Sequence, residues 1–285
     1  MNEIGLSIIV PTHKRPRLVE KLLHSISTLD RSGIALEIIV VSNLEDPSTK
    51  LLIESYGDRI PVKYLVSNVV NVSYARNFGL DMALNDLCAF LDDDCEVLDP
   101  NWLQTAVKLF RLDANLTGAG GYYSLSEQIN LPGIAYHIKM RSWLKYFNTE
   151  NGNAKRLVGG SLVLKKSKMG NRRFDPKVKF GGSETSLIVQ LNSDEKKMVL
   201  TESLSVRHHF KLSVFDFIKK SYLQGKYHQV MLKQTPEQIY FSANNFIQIE
   251  NEVTNSIGLS WMQLKVIGIL MRIHRIAFYQ LPKYF

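Results

Sequence analysis

The chain has 285 residues, 45% apolar and 22% charged, with a net charge of +8. That length buries a full hydrophobic core, and the composition excludes a disordered or fibrous chain. Two cysteines, Cys88 and Cys95, are too few for a disulfide framework or a paired-cysteine zinc site and suit a reducing cytosol.

The opening segment, MNEIGLSIIVPT, reads as a strand and lacks the basic start, apolar centre and small-residue cleavage site of a secretory leader. No apolar run reaches the ~18 residues of a spanning helix. The positive charge favours anionic partners such as phosphates, nucleic acid or an acidic membrane face.

In chain order, Leu6 to Val10 is a β-branched run ending at Pro11, a buried strand. Arg17 to Leu29 has helical apolar spacing through Leu18, Leu22, Leu23, Ile26 and Leu29. A strand at Glu37 to Val41, a helix at Pro47 to Tyr56 and a strand at Val62 to Leu65 follow. Ser73 to Asn85 is predicted helical, and Leu87 to Leu91 is a fourth strand running into Asp92-Asp93-Asp94. Strands alternating with helices, joined by connections too long for hairpins, predict an α/β fold with a mostly parallel sheet covered on both faces. Ligands bind beyond the carboxyl ends of such strands. Pro11-Thr12, Ser42-Asn43 and the three aspartates are therefore expected to share one crevice.

The second half is less regular. Trp102 to Leu112 reads as a helix and Gly118 to Leu125 as a strand, while residues 126–156 show no clear period. Leu157 to Lys166 reads as a strand whose Gly159-Gly160 suggests close backbone approach to a ligand. Ser183 to Leu191 is predicted helical, Leu200 to His208 a strand, and the chain helical from Val214 onward. The expected organisation is one catalytic domain over residues 1–212 and a helical extension over 213–285.

Asp92 and Asp94 stand two apart after a strand. An extended chain would point both the same way, offering oxygen ligands to Mg²⁺ or Mn²⁺, with Asp93 on the other face. A solvated acidic turn explains an isolated D-x-D equally well. An aspartyl-phosphate phosphatase is disfavoured because its motif normally opens the domain. A nucleotidyltransferase would carry a glycine-rich loop after the first strand, and PTHKRPR has no glycine. No nucleic-acid-binding motif accompanies the positive charge, so nucleic acid is not an expected partner.

Taken together, SIIVPTHKRPRLVEKLLHSI, EIIVVSN, NVSYARNFGL, AFLDDDCEVLDPNWL and FDPKVKFGGSETSLIVQL resemble the family 2 glycosyltransferases of GT-A fold. The resemblance covers about residues 5 to 210 and lies in the order and spacing of several short motifs. It implies a Rossmann-like sheet flanked by helices and a sugar transfer from a nucleotide diphosphate donor, UDP most often. The transfer would invert the anomeric centre, with Mn²⁺ or Mg²⁺ as cofactor. By the resemblance, Pro11, Thr12, Asn43, Arg76, Asn77, Asp92 and Asp93 bind the nucleotide sugar. Asp94, Asp92 and His208 hold the metal, and Glu184 is the general base. An arginine suits a diphosphate because its planar fork donates two hydrogen bonds.

The chain departs from the family in carrying Gly181-Gly182-Ser183-Glu184-Thr185-Ser186-Leu187 where members carry G-G-E-D-x-D-L. It also has Ser42-Asn43 where an aspartate is usual and Asn71 where a glycine is common. The acceptor, a glycan, lipid-linked or other hydroxyl, cannot be borrowed from the family, and a nucleotide-sugar-binding protein without transferase activity is the alternative. The setting implied is cytoplasmic assembly of bacterial polysaccharide or glycoconjugate. The basic apolar segment LKVIGILMRIHRIAFYQLPKYF suits either a peripheral place on the inner membrane face or packing on protein.

Overall fold

The computed structural model describes residues 3–148, 153–178, 182–234 and 243–280. Gly181 and Lys283, both part of the sequence reading, lie outside the described residues. The elements run β1 (Ile4–Thr12), α1 (Pro16–Ser27), β2 (Ile34–Asn43), α2 (Pro47–Tyr56), β3 (Val62–Ser67), α3 (Val72–Met82), β4 (Leu87–Phe90) and β5 (Cys95–Glu96). Next come α4 (Trp102–Leu112), β6 (Leu116–Gly120), β7 (Tyr123–Leu125), α5 (Leu131–Phe147) and β8 (Leu162–Lys165). The rest are α6 (Ser183–Ser193), β9 (Lys197–Leu200), β10 (Val206–His208), α7 (Val214–Gln234), α8 (Ala243–Asn255) and α9 (Trp261–Arg275).

These elements form two compact units. The first takes the described residues up to 122, with 153–178 and 183–207. It holds a seven-stranded sheet in the order β3-β2-β1-β4-β8-β6-β9. The pairs β3-β2, β2-β1, β1-β4 and β6-β9 are parallel, and β8 runs antiparallel to both its neighbours. Burial of Leu6 through Thr12 on consecutive positions is what a strand covered on both faces requires. Its helices start and pack for local reasons. Pro16 opens α1, which buries Val19, Leu22, Leu23 and Ile26 on one face. In α3 the Asn71 side chain caps the amides of Ser73 and Tyr74. Gly79 then lets that helix approach the sheet, since a Cβ there would lie 2.5 Å from Ile9 Cγ2.

The second unit takes 123–148, Gly182, 208–234 and 243–280. Within it α5 packs against α7, α8 and α9. Among the described residues no helix is long and apolar enough to cross a membrane.

Four expectations are corrected. The strand expected at Gly118 to Leu125 is two, β6 and β7, because Gly121 packs against the Leu204 backbone where a Cβ would lie 2.0 Å from its carbonyl oxygen. The strand expected from Leu200 to His208 is broken by a 3₁₀ turn at Glu202–Leu204, capped by the Thr201 side chain. Only Leu162–Lys165 of the 157–166 segment is strand. The unassigned region contains α5, whose residues from Gly133 through Lys139 are all buried, so no polar stripe marked its period.

A polar cluster anchors the amino-terminal side of the sheet. Glu37 is buried on β2 and accepts hydrogen bonds from Ser7 Oγ (2.6 Å), Leu84 N (3.0 Å) and Lys63 Nζ (2.9 Å). Burial alone would raise its pKa, but these three donors hold it below the ordinary value. A depressed folded-state pKa means that the stabilisation is present above the unfolded value and is lost as pH falls through the folded one. Glu37→Gln is therefore expected to cost ~1–3 kcal/mol at pH 7, since Lys63 loses an ionic acceptor. Urea unfolding at pH 7 and pH 4 checks this, the difference between variant and wild type narrowing at the lower pH.

Candidate active site

The carboxyl ends of β1, β2 and β4 lie side by side in the parallel part of the sheet. After β4 the chain does not stay extended. It turns at Asp93 and Asp94, with Cys95 N–H donating to the Asp92 carbonyl (3.0 Å). Strand alternation therefore does not sort the three aspartates; the turn does, and each carboxylate finds its own surroundings.

Asp93 is buried and points back to β1, where it accepts from Thr12 Oγ1 (2.7 Å) and from Arg15 (3.2 Å). Burial, and then the neighbouring charge of Asp94, push its pKa up to about 7 against the pull of Arg15 and Thr12. Asp94 lies 3.6 Å from the same guanidinium. Although partial burial works against it, Arg15 is lifted above its ordinary pKa by Asp93 and Asp94.

Asp92 turns to α3. Arg76 Nη2 donates to it at 2.6 Å, and Arg76 Nη1 donates to Ser183 Oγ (3.0 Å) and lies 3.6 Å from Glu184 Oε2. The guanidinium is buried, so its charge needs such partners. It also sits 5.4 Å from the Phe174 ring centroid and directly against the Gly159 backbone. A Cβ at Gly159 would lie 2.6 Å from Arg76 Nη2. The close approach expected at Gly159-Gly160 is thus to a protein guanidinium. Gly182, at φ 107°, occupies a conformation suited to glycine and leads into α6. Glu184 stands in the first turn of that helix, where the macrodipole favours an anion.

The other expected residues are placed as follows. Pro11 and Thr12 end β1, buried. Both ends of the Asn77 amide are held by the Phe174 main chain, at 2.8 and 3.0 Å. Asn43 is buried at the end of β2. In the orientation that satisfies its amide it donates to Val69 O (2.9 Å) and Asn71 O (3.2 Å), and His13 Nδ1 lies 2.9 Å from the Asn43 main-chain oxygen. His208 belongs to the second unit, buried and stacked on Phe210 with ring centroids 3.6 Å apart.

The first unit therefore joins Thr12, Arg15 and the acidic turn, and through Arg76 joins that turn to Ser183 and Glu184. Arg15 and Ser183 were missed as site residues, and Gly159 was read as a point of close approach to a ligand. The basic stretch HKR between the end of β1 and Pro16 was the available signal for Arg15.

The family model described as Glycosyl transferase family 2 matches residues 7–172. The chain is 26% identical over 220 residues to the O-antigen biosynthesis protein RfbC of Myxococcus xanthus, covering 72% of this chain and 17% of that one. It is 34% identical over 112 residues to the succinoglycan biosynthesis protein ExoM of Rhizobium meliloti, covering 38% and 35%. A β-1,3-glucosyltransferase of Campylobacter jejuni acting on GalNAc(5)-diNAcBac-PP-undecaprenol is 37% identical over 100 residues, covering 33% and 30%. The matched regions thus span about a third or less of these relatives' own lengths. Among solved structures, the mannosyltransferase PcManGT of Pyrobaculum calidifontis, in complex with GDP-Man and Mn²⁺, superposes with a TM-score of 0.63 at 13% identity, covering 97% and 74%. The TarS 1–349 structure from S. aureus with UDP gives 0.59 at 14% identity, covering 96% and 81%. The shared architecture is the GT-A fold. With more than half of its length matched by the family model, the chain belongs to glycosyl transferase family 2.

Proposed function

We propose that the chain moves a sugar from a nucleotide diphosphate donor, a UDP-sugar, to an acceptor hydroxyl with inversion, in the cytoplasmic assembly of bacterial polysaccharide or glycoconjugate. The observation that carries this reading is Arg76, which ties the acidic turn at Asp92 to the start of α6 at Ser183 and Glu184. Relatives named for O-antigen and succinoglycan biosynthesis support the setting. Two free, buried cysteines suit a reducing compartment.

Glu184 is the base: it takes the proton of the acceptor hydroxyl as that oxygen attacks the anomeric carbon. The bond from that carbon to the diphosphate oxygen breaks, and the nucleotide leaves with the electron pair. Arg76 fixes Asp92 and Glu184 relative to one another. Thr12 and Arg15 fix the turn through Asp93. Pro11, Thr12 and Asn43 would line the nucleoside side of the crevice, with Asn77 bracing its wall through Phe174.

A divalent cation fits the acidic turn. Asp92, Asp93 and Asp94 place three carboxylates on one turn with Arg15 as the cation beside Asp93 and Asp94, and the carboxylates offer hard oxygen donors. Asp92 and Asp94 would hold Mn²⁺ or Mg²⁺, which when bound supplies positive charge to the leaving diphosphate.

The test is a panel of nucleotide sugars with and without Mn²⁺, scored by thermal shift and nucleotide release. A UDP-sugar is expected to raise the midpoint only with the cation, and Asp94→Asn to remove that dependence. Binding without release by any acceptor would favour a binding protein, and no binding by any donor would overturn the reading.

A further inference from the structure

The second unit carries an apolar helix surface that its own packing leaves uncovered. α9 buries Ile267, Leu270, Met271 and His274, a single stripe at helical spacing. A helix that only docks on its own domain turns polar residues outward. Here a second stripe, Met262, Val266 and Ile269, recurs at i, i+4 and i+7 and is 72%, 41% and 58% exposed. The adjacent row is Trp261, Lys265, Gly268 and Arg272. Trp261 is 67% exposed with Lys265 Nζ 3.6 Å over its ring, and Gly268 has open space around it. A capping box between Ser260 and Gln263 secures this exposed first turn as helix.

Charge decides what this face suits. α9 has no acidic residue, and residues 208–285 hold nine Lys or Arg against four Asp or Glu. Arg275 is engaged by Glu250 at 2.8 Å, while Lys265 and Arg272 flank the exposed apolar row. Aromatic, aliphatic and basic residues on one uncovered side are what the boundary between anionic headgroups and acyl chains accepts. α9 runs directly into a π-helical turn at Ile276–Gln280, but its apolar residues are interrupted by Lys265, Arg272 and Arg275, and no helix among the described residues is long and apolar enough to cross a membrane, so such a helix lies on a bilayer.

We propose that α9 seats the protein on an anionic lipid surface. Met262, Val266 and Ile269 enter the acyl boundary, Trp261 sits at headgroup level, and Lys265 and Arg272 meet lipid phosphates. This does not depend on the sugar-transfer reading, because the assay contains neither donor nor acceptor.

The test is co-sedimentation of the full chain with phosphatidylglycerol–phosphatidylethanolamine vesicles and with phosphatidylcholine vesicles. At least tenfold tighter binding to the anionic vesicles is expected, weakening as salt rises. Met262→Asp with Ile269→Asp is expected to abolish binding without lowering the thermal midpoint, since both side chains are exposed. Lys265→Glu with Arg272→Glu is expected to remove the preference for anionic lipid. Equal binding to both vesicle types, no binding to either, or unchanged binding by the aspartate variant overturns the proposal. So does a dimer in sedimentation velocity that the aspartate variant dissolves, which would make this face an interface between copies of the chain.

Discussion

Replacing Glu184 by Gln is expected to lower the turnover of sugar transfer by ~10²–10⁴-fold, the usual contribution of a positioned acid or base, and to leave UDP affinity within about twofold. The amide keeps the shape of the carboxylate and its place in the first turn of α6. It retains an oxygen able to accept from Ser183, while losing the capacity to take a proton from the acceptor hydroxyl. The neighbouring charge survives the change, because Arg76 keeps its 2.6 Å contact to Asp92 and its bond to Ser183. The fold should therefore tolerate the variant. Steady-state turnover, with nucleotide binding by calorimetry, separates the two effects. Turnover at the wild-type rate would remove Glu184 from the reaction. Loss of UDP binding would instead place it in donor recognition.

The legible part of this molecule was the part whose physics is local. Strands β1, β2 and β4 are apolar runs buried on both faces, and α1 has a clean stripe, so periodicity alone located them. The features that sequence reasoning did not reach depend on contacts between distant segments. A turn at the three aspartates was one of two local readings, and what holds it, Thr12 and Arg15 about 80 residues earlier, is not visible near Asp92. The arginine fork of ARNFG suggests a phosphate, and its contacts with Asp92 and with Ser183, the latter 107 positions away, cannot be read from that motif. Asn77 reads as a polar helix residue, yet its amide closes on the Phe174 main chain 97 positions away. Helix α5 was missed for a different reason: a helix buried on most sides has no polar face to mark its period.

Those long-range contacts make Gly159 a sharper test of the site than any acidic residue. Gly159→Ala is expected to reduce turnover about 10²-fold, the scale of a misplacement near 1 Å, with a small fall in thermal midpoint. The new methyl would lie 2.6 Å from Arg76 Nη2 and 2.9 Å from Cζ, so one side must yield. The guanidinium is the end of a flexible side chain, and it yields more readily than backbone. Moving it breaks the 2.6 Å contact to Asp92, the 3.0 Å bond to Ser183, or both. Arg76→Lys should produce a loss of similar size by another route. A lysine carries the charge but has no rigid fork, and it cannot reach both partners in the same geometry. If each change acts only through the placement of the Arg76 charge, the double variant should lose little more than Arg76→Lys alone, a coupling visible in a double-mutant cycle. Additive losses, about 10⁴-fold in the pair, would mean that Gly159 serves the reaction independently of Arg76. The cycle therefore tests whether the acidic turn and the start of α6 work as one unit held by a single buried cation.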